Sequence, residues 1–189
     1  MNAIVKAAVD PKFALTIALV LGMPALRADE KPPDSVFQQS PLELTIKTPP
    51  FFKPTRSTTG YLPTPVGNVP YRDQSWDGKT SAVAVRRIVM PEVWWQTIAP
   101  QFFARAKLHL PGAPNVKLIS ERDYSISGCA AHSFVISTPG SKPEFWRIDY
   151  LLVKPDLHEV MYTAESGAEL SGTTCKKLYE SISLTPKSH

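Results

Sequence analysis

The stretch from Val116 to Glu165 constrains the fold more than any other part of the chain, because short turns divide it into alternating segments. Turn-forming residues fill positions 138–143 and 154–157, between runs in which apolar and polar residues alternate. The sequence therefore predicts three consecutive strands, at 116–136, 144–153 and 158–164, with the first kinked or bulged at Ser127–Gly128. Because both connections are too short for a crossover, these strands are expected to pair antiparallel.

Alternation within residues 144–153 predicts one buried side and one solvated side. Trp146, Ile148 and Tyr150 fall on one face, which is expected to be core. Arg147 and Asp149 fall on the other face, where we interpret the pair as a solvated stripe.

Two further strands are predicted before this stretch. Alternation from Leu42 to Ile46 indicates the first strand. The β-branched run from Ser81 to Met90 indicates a second, which ends at Pro91.

Two helical regions are expected to flank the sheet. Residues 91–108 carry apolar side chains four apart, typical of a buried helix face, but Pro100 interrupts the run. The helix is therefore expected to kink there or to divide into two helices at Ala99–Pro100. A last helix is predicted at about 175–183, and the fold class that follows is α+β, with an antiparallel sheet flanked by helices.

Three segments outside these elements lack a regular pattern. Residues 49–78 are rich in Pro, Gly and aromatic residues, and we interpret them as a long loop laid over the sheet, either for packing or as a ligand-binding lid. Residues 29–40 are expected to form a flexible leader and residues 185–189 a tail. One domain is therefore predicted, spanning residues 41–184.

The N-terminus has the composition of a secretory signal. Lys6 and Lys12 precede an apolar run at residues 13–23, which is too short to span a bilayer. A signal peptide at residues 1–28, cleaved after Ala28, is the interpretation; an uncleaved N-terminal membrane anchor is the alternative. No transmembrane segment is expected after cleavage, and the mature protein is expected to be periplasmic or secreted.

The charge balance argues against nucleic acid as a partner. The net charge is +4, and three cations and one carboxylate within residues 1–28 account for +2 of it. About +2 is left on the mature chain, which is too little for a nucleic-acid surface.

The two cysteines are expected to be oxidised in a secreted chain, because compartments beyond the membrane favour disulfides. A Cys129–Cys175 disulfide is therefore predicted. A metal site built from Cys129, His132 and Cys175 is the alternative. It is disfavoured because positions three apart on a strand point to opposite faces and no fourth ligand is evident.

Catalytic motifs are absent from the sequence: there is no G-x-S-x-G elbow, H-E-x-x-H, P-loop or G-x-G-x-x-G. His132 and Asp149 are the residues that a small hydrolase would use. A satisfied structural role is the expectation for both, so no catalytic residue, cofactor or metal is predicted.

Surface features suggest one contact residue. Trp94 and Trp95 are adjacent on a predicted helix, so their rings diverge by about 100° and cannot easily enter the same core. Trp95 is therefore a candidate partner contact, with burial under the 49–78 loop as the alternative. The basic pairs Arg86–Arg87 and Lys176–Lys177 are interpreted as ordinary surface.

Two short motifs resemble the Mog1/PsbP-like fold family, which includes the DcrB-like periplasmic proteins. The segment Tyr124–Ala131 is similar to the family's "I-x-G-x-x-A" strand kink, and Tyr179–Leu184 is similar to its closing helix followed by "S-I". The resemblance covers about Leu42 to Leu184. It implies an antiparallel sheet flanked by helices and an accessory, chaperone or binding role without catalysis, and the 49–78 insertion departs from it.

These observations predict an exported, non-enzymatic binding or accessory protein, chaperone-like for another envelope protein. Two alternatives are a periplasmic immunity protein that inhibits a toxin effector and a small hydrolase that uses His132 or Asp149.

Overall fold

A seven-stranded antiparallel sheet forms the centre of the molecule, in the order β2-β3-β4-β8-β7-β6-β5, and β1 pairs with β9 in a separate two-stranded sheet. The computed structural model describes residues 31–64, 66–109, 116–138 and 143–186. The strands are β1 (Leu42–Thr45), β2 (Lys53–Thr64), β3 (Gly67–Asp77), β4 (Ser81–Val89), β5 (Lys117–Ile126), β6 (Cys129–Thr138), β7 (Glu144–Val153), β8 (Asp156–Ala164) and β9 (Ser183–Pro186). The predicted α+β class with an antiparallel sheet is confirmed.

Within the described residues, four short α-helices flank the sheet. They are α1 (Glu92–Thr97), α2 (Phe102–His109), α3 (Gly167–Leu170) and α4 (Thr173–Glu180). The break predicted at Ala99–Pro100 is present, because a 3₁₀ turn at Ala99–Gln101 separates α1 from α2. Proline suits the first turn of this 3₁₀ helix, where its missing N–H is not needed. No helix among the described residues is long and apolar enough to cross a membrane.

The two faces of the sheet carry separate hydrophobic clusters. We call the side under α1 and α2 the first face; there Trp94 and Phe102 pack on Ile148 and Tyr150. We call the opposite side, under α4, β1 and β9, the second face, and it includes Leu178. Both sides of β7 are therefore buried. The expectation that one side would be solvated was wrong, because the C-terminal elements return across the second face.

The predicted loop at residues 49–78 is instead a long hairpin of β2 and β3. Proline is compatible with these strands because of where it falls. Pro54 and Pro63 lie on β2, the edge of the sheet, where a missing N–H need not break a ladder. Pro70 lies on β3 just before the part that pairs with β4, which begins at Tyr71. The prediction of a loop was wrong because it counted the prolines without knowing where they would fall in the sheet.

The strand predicted to run through Ser127–Gly128 reverses there. Ser127 and Gly128 both have positive φ, 49° and 79°, and Ile126 pairs with Cys129 across the turn. Positive φ at both central residues matches the type I′ turn, whose twist suits a two-residue hairpin. The central stretch therefore contains four strands and not three.

Both ends of the domain are more ordered than the sequence indicated. Asp34–Gln38 forms a 3₁₀ helix with Phe37 buried, within the segment interpreted as a flexible leader. Ser183–Pro186 pairs with β1, although β9 overlaps the predicted tail at 185–189. The predicted signal peptide at residues 1–28 lies outside the described residues, as do residues 187–189.

Candidate functional site

One row of polar side chains crosses the whole sheet on its first face. Its members stand directly opposite one another on neighbouring strands, in the order Thr58, Asp73, Arg86, Glu159, Tyr150, His132 and Asp123. We call these seven residues the polar row. Its centre lies beneath α1 and α2, whereas Asp123 at one end is exposed. Buried polar groups in such a place require partners.

Arg86 supplies the only charge-balancing cation at the centre of the row that the described contacts show. Its Nε donates to Asp73 Oδ1 at 2.7 Å and its Nη2 to Asp73 Oδ2 at 3.0 Å, a bidentate pair. Its Nη1 donates to Glu159 Oε2 at 3.3 Å. Burial opposes the charge on Arg86, but the two carboxylates raise the pKa of its guanidinium above the usual value.

Glu159 is the carboxylate that this arrangement leaves short of a counter-charge. Its side chain is completely buried, and Asp73 holds the stronger, bidentate contact to Arg86. Burial raises the pKa of Glu159 to about 7, against the lowering effect of Arg86. One cation beside two carboxylates is electrically neutral when Glu159 carries a proton.

Tyr150 continues the row on β7, opposite Glu159. Its ring is buried against Phe102 at 5.3 Å between centroids. Burial, followed by the charge of Glu159, raises the pKa of the Tyr150 hydroxyl well above its ordinary value. Tyr150 therefore stays a neutral phenol at any physiological pH.

His132 lies at the other end of the buried part of the row and is closed to solvent. Its Nδ1 is 2.6 Å from Asp123 Oδ1, and its Nε2 is 3.5 Å from Glu121 Oε2. Its ring lies between Phe103 and Phe134, at centroid distances of 5.5 and 4.3 Å. The hydrogen bond to His132 lowers the pKa of the exposed Asp123. An Asp–His pair resembles half of a hydrolytic triad, but this imidazole faces a carboxylate and two aromatic rings.

Asp149 belongs to a second buried cluster, on the second face. Arg147 donates to it through Nε at 3.1 Å and Nη2 at 2.9 Å, and the Tyr124 hydroxyl donates at 2.7 Å. Burial and then the charge of Asp149 raise the pKa of Tyr124 above its ordinary value. The Arg147 guanidinium also lies 3.5 Å from the centroid of the Tyr179 ring. The interpretation of Arg147 and Asp149 as a solvated stripe was wrong, because α4 covers them.

Sequence reasoning also misread Arg86 and Arg87 as ordinary surface. Arg86 is 7% exposed, and Arg87 Nε lies 2.9 Å from the buried Asp156. The available signal was position: both arginines sit inside an apolar β-branched run. A charge in the middle of a central strand requires a buried counter-charge on a neighbouring strand.

Trp95, the candidate partner contact, is half-buried on α1. Its ring meets Trp94 edge-on at 5.1 Å, and its Nε1 donates to the Pro155 carbonyl at 3.3 Å. The ring packs at the margin of the first-face cluster. Val93, two residues earlier on the same helix, is exposed.

The predicted Cys129–Cys175 disulfide is not formed, since both residues are free thiols. Cys175 is buried beside the Arg147 guanidinium, and burial raises the pKa of its thiol to about 11. Cys129 lies at the margin of the second-face cluster that includes Cys175. The free thiols lend no support to the prediction of export.

In the described part of the chain, no three His, Cys, Asp or Glu side chains are arranged to hold a metal ion, and the alternative site at Cys129, His132 and Cys175 is not formed there.

Comparisons with known proteins leave the family unassigned. No family model matches the sequence, and no curated protein matches it. Among solved structures, it is similar to PA94, a protein of unknown function from Pseudomonas aeruginosa (TM-score 0.46, 15% identity, 77% of this chain and 99% of that one). It is also similar to LpqN, involved in cell envelope biogenesis of Mycobacterium tuberculosis (TM-score 0.46, 9% identity, 78% and 86%).

A third similar structure is TplEi, a T6SS immunity protein of Pseudomonas aeruginosa (TM-score 0.44, 10% identity, 77% of this chain and 55% of that one). All three TM-scores are below 0.5, so these likenesses assign no function to this chain. The Mog1/PsbP resemblance is not confirmed by them.

Proposed function

We propose that this chain is an exported, non-enzymatic binding protein that acts on another protein of the cell envelope. The observation that carries the non-enzymatic part is the burial of both candidate catalytic residues. His132 and Asp149 are each 0% exposed, and each is bound by neighbouring side chains of the domain. A general base must come within hydrogen-bond reach of a substrate proton.

The N-terminal sequence supports export. Two lysines followed by the apolar run at residues 13–23 match the organisation of a secretory signal. The first element of the described part of the chain is the 3₁₀ helix at Asp34–Gln38. Cleavage after Ala28 would therefore leave every described element in place.

Cell fractionation tests export. The full chain with a C-terminal tag is expected in the periplasmic fraction at the mass of residues 29–189, whereas a chain lacking residues 2–28 is expected to stay in the cytoplasm. Recovery of the uncleaved full chain from the cytoplasm would contradict the proposal.

Photo-crosslinking in cells tests the binding role and the part played by Trp95. A photoreactive residue at position 95 is expected to give one discrete adduct with an envelope protein. The matched control carries the same residue at Gln96, which is exposed on the same helix, and is expected to give less adduct. A one-to-one adduct with a toxin encoded nearby would identify the immunity alternative.

The hydrolase alternative predicts a different result. If the purified chain hydrolysed model esters or amides, and His132→Gln abolished that hydrolysis while the unfolding midpoint stayed unchanged, the non-enzymatic assignment would be wrong.

A further inference from the structure

Three basic side chains stand side by side on the second face, away from the clusters described above. Arg72 on β3 is directly opposite Arg87 on β4, which is directly opposite His158 on β8. We call these three residues the basic row. The adjacent arginines on this face repel each other, so such an arrangement needs anions close by.

One of those anions belongs to the sheet itself. The buried carboxylate of Asp156 lies 2.9 Å from Arg87 Nε and 3.8 Å from His158 Nε2. This carboxylate balances the charge of Arg87. It does not balance the charge of Arg72, which lies farther toward the edge of the sheet.

Residues 34–37 supply the further contacts to the two arginines. Asp34 lies 2.6 Å from Arg72 Nη2, and the Phe37 ring lies 4.6 Å from the Arg72 guanidinium carbon and 5.6 Å from that of Arg87. An acidic residue and an aromatic residue three positions later thus cover two arginines at once. Phe37 is 3% exposed in this position.

The contacts that bind residues 34–38 to the basic row are weak. Asp34 is 68% exposed, so its ion pair with Arg72 is screened by water. The Asp34–Gln38 3₁₀ helix has no side-chain cap, and short 3₁₀ helices are weak without tertiary contacts. Beneath it, Arg87 Nη2 is buried without a hydrogen-bond partner. An aromatic face attracts this guanidinium but accepts hydrogen bonds only weakly, so a carboxylate would bind it better.

From these contacts we infer that the basic row is a recognition site for an acidic–aromatic peptide segment of a partner protein, and that residues 34–37 are its intramolecular occupant. The occupant shows which chemistry the site accepts: a carboxylate on Arg72 and an aromatic ring across Arg72 and Arg87. This inference deepens the proposed binding function and rests on it, since it names the surface and the class of partner.

Intramolecular occupancy sets the affinity that a partner needs. A short tether gives residues 34–37 an effective concentration in the millimolar range. A partner segment must bind tightly enough to displace residues 34–37 from the basic row. Preventing residues 34–37 from binding there must increase the partner's apparent affinity by the factor that this competition had cost it.

The probe for this competition is a fluorescent peptide with the sequence of residues 31–41, and binding is measured by anisotropy. The chain with Asp34→Asn and Phe37→Ala is expected to bind it at least tenfold more tightly than the unmodified chain. Adding Arg72→Gln is expected to abolish that gain. The matched control is Phe51→Ala, which removes an exposed ring elsewhere and is expected to leave peptide binding unchanged.

Either of two results would overturn the inference: no gain in affinity for the folded double variant, or a gain that survives Arg72→Gln. If the double variant does not fold, NMR of the unmodified chain replaces it. Millimolar peptide is then expected to shift the Arg72 and Arg87 Nε–H signals, and unshifted signals would refute the site.

The inference and the proposed function fail in different ways. If the chain is exported and crosslinks to an envelope protein but does not bind the peptide, only the inference about the basic row is wrong. If the chain binds the peptide but stays in the cytoplasm, the envelope assignment is wrong and the inference about the basic row stands.

Discussion

Two of the buried ion clusters, the Arg147 cluster on the second face and the Arg86 cluster on the first, differ in their charge count. On the second face, one arginine meets one carboxylate, Arg147 with Asp149, and a tyrosine hydroxyl completes the set. On the first face, Arg86 meets two carboxylates, Asp73 and Glu159. Burial, to which the charge of Asp73 adds, raises the pKa of Glu159 to about 7 against the lowering effect of Arg86. The surplus carboxylate of the first-face cluster is therefore the group that responds to pH near neutrality.

Replacing Arg86 with Met is expected to have the largest effect. It leaves two carboxylates, one of them fully buried, without their cation, and breaking a buried pair in this way costs about 3–5 kcal/mol. Urea unfolding at pH 7 measures the loss. Arg122→Met, at an exposed position on β5, is the matched control; equal losses in the two variants would show that the Arg86 cluster is not stabilising.

Replacing Asp149 with Asn is expected to cost slightly less, about 3 kcal/mol, because Arg147 keeps a neutral acceptor but loses its counter-charge. Urea unfolding at pH 7 measures the loss, with Glu43→Gln at an exposed position on β1 as control. A loss no larger than that of the control would show that the Arg147–Asp149 pair does not stabilise the fold.

Replacing Glu159 with Gln is expected to act in the opposite direction. Because burial raises the pKa of Glu159 to about 7 in the folded chain, its contribution to stability is fully present below the unfolded value near 4.5. That contribution falls as the pH rises through 7. The amide mimics the protonated form, so the variant is expected to gain on the order of 2 kcal/mol at pH 8 relative to the unmodified chain, and little at pH 4. Urea unfolding across this range measures the difference. A variant that is less stable than the unmodified chain at pH 8 would mean that the fold stabilises the ionised form of Glu159, which contradicts a raised pKa.

Thiol reactivity is expected to show the smallest energetic effect. Titration of the native chain should find two free thiols, with half-buried Cys129 reacting before Cys175, whose pKa burial raises to about 11. Reducing agent should leave the unfolding midpoint unchanged. Absence of free thiols would restore the disulfide that the sequence predicts.

The same contrast explains what could be predicted from sequence. The strand Ser81–Val89 follows from its β-branched residues, and the strand Glu144–Val153 follows from local alternation. The helix break follows from Pro100. The pairing of Arg86 with Glu159 depends on which strands become neighbours, 73 residues apart in the chain. Local patterns do not contain that information, so a buried charge was read as surface.

The hairpin of β2 and β3 was missed for a related reason. Proline disfavours a strand only where its N–H is needed, and whether β2 lies at an edge is a property of the whole sheet. The Ser127–Gly128 turn, by contrast, was readable. Gly at the second position of a two-residue connection between alternating runs favours reversal over a kink.

Carboxyl NMR titration of selectively labelled Glu159 tests the central claim most directly, namely that one cation shared by two carboxylates, of which Glu159 is fully buried, leaves a proton on this residue. The account predicts a titration midpoint near pH 7 that disappears in Glu159→Gln. A midpoint at or below the ordinary glutamate value of 4.5 would contradict it.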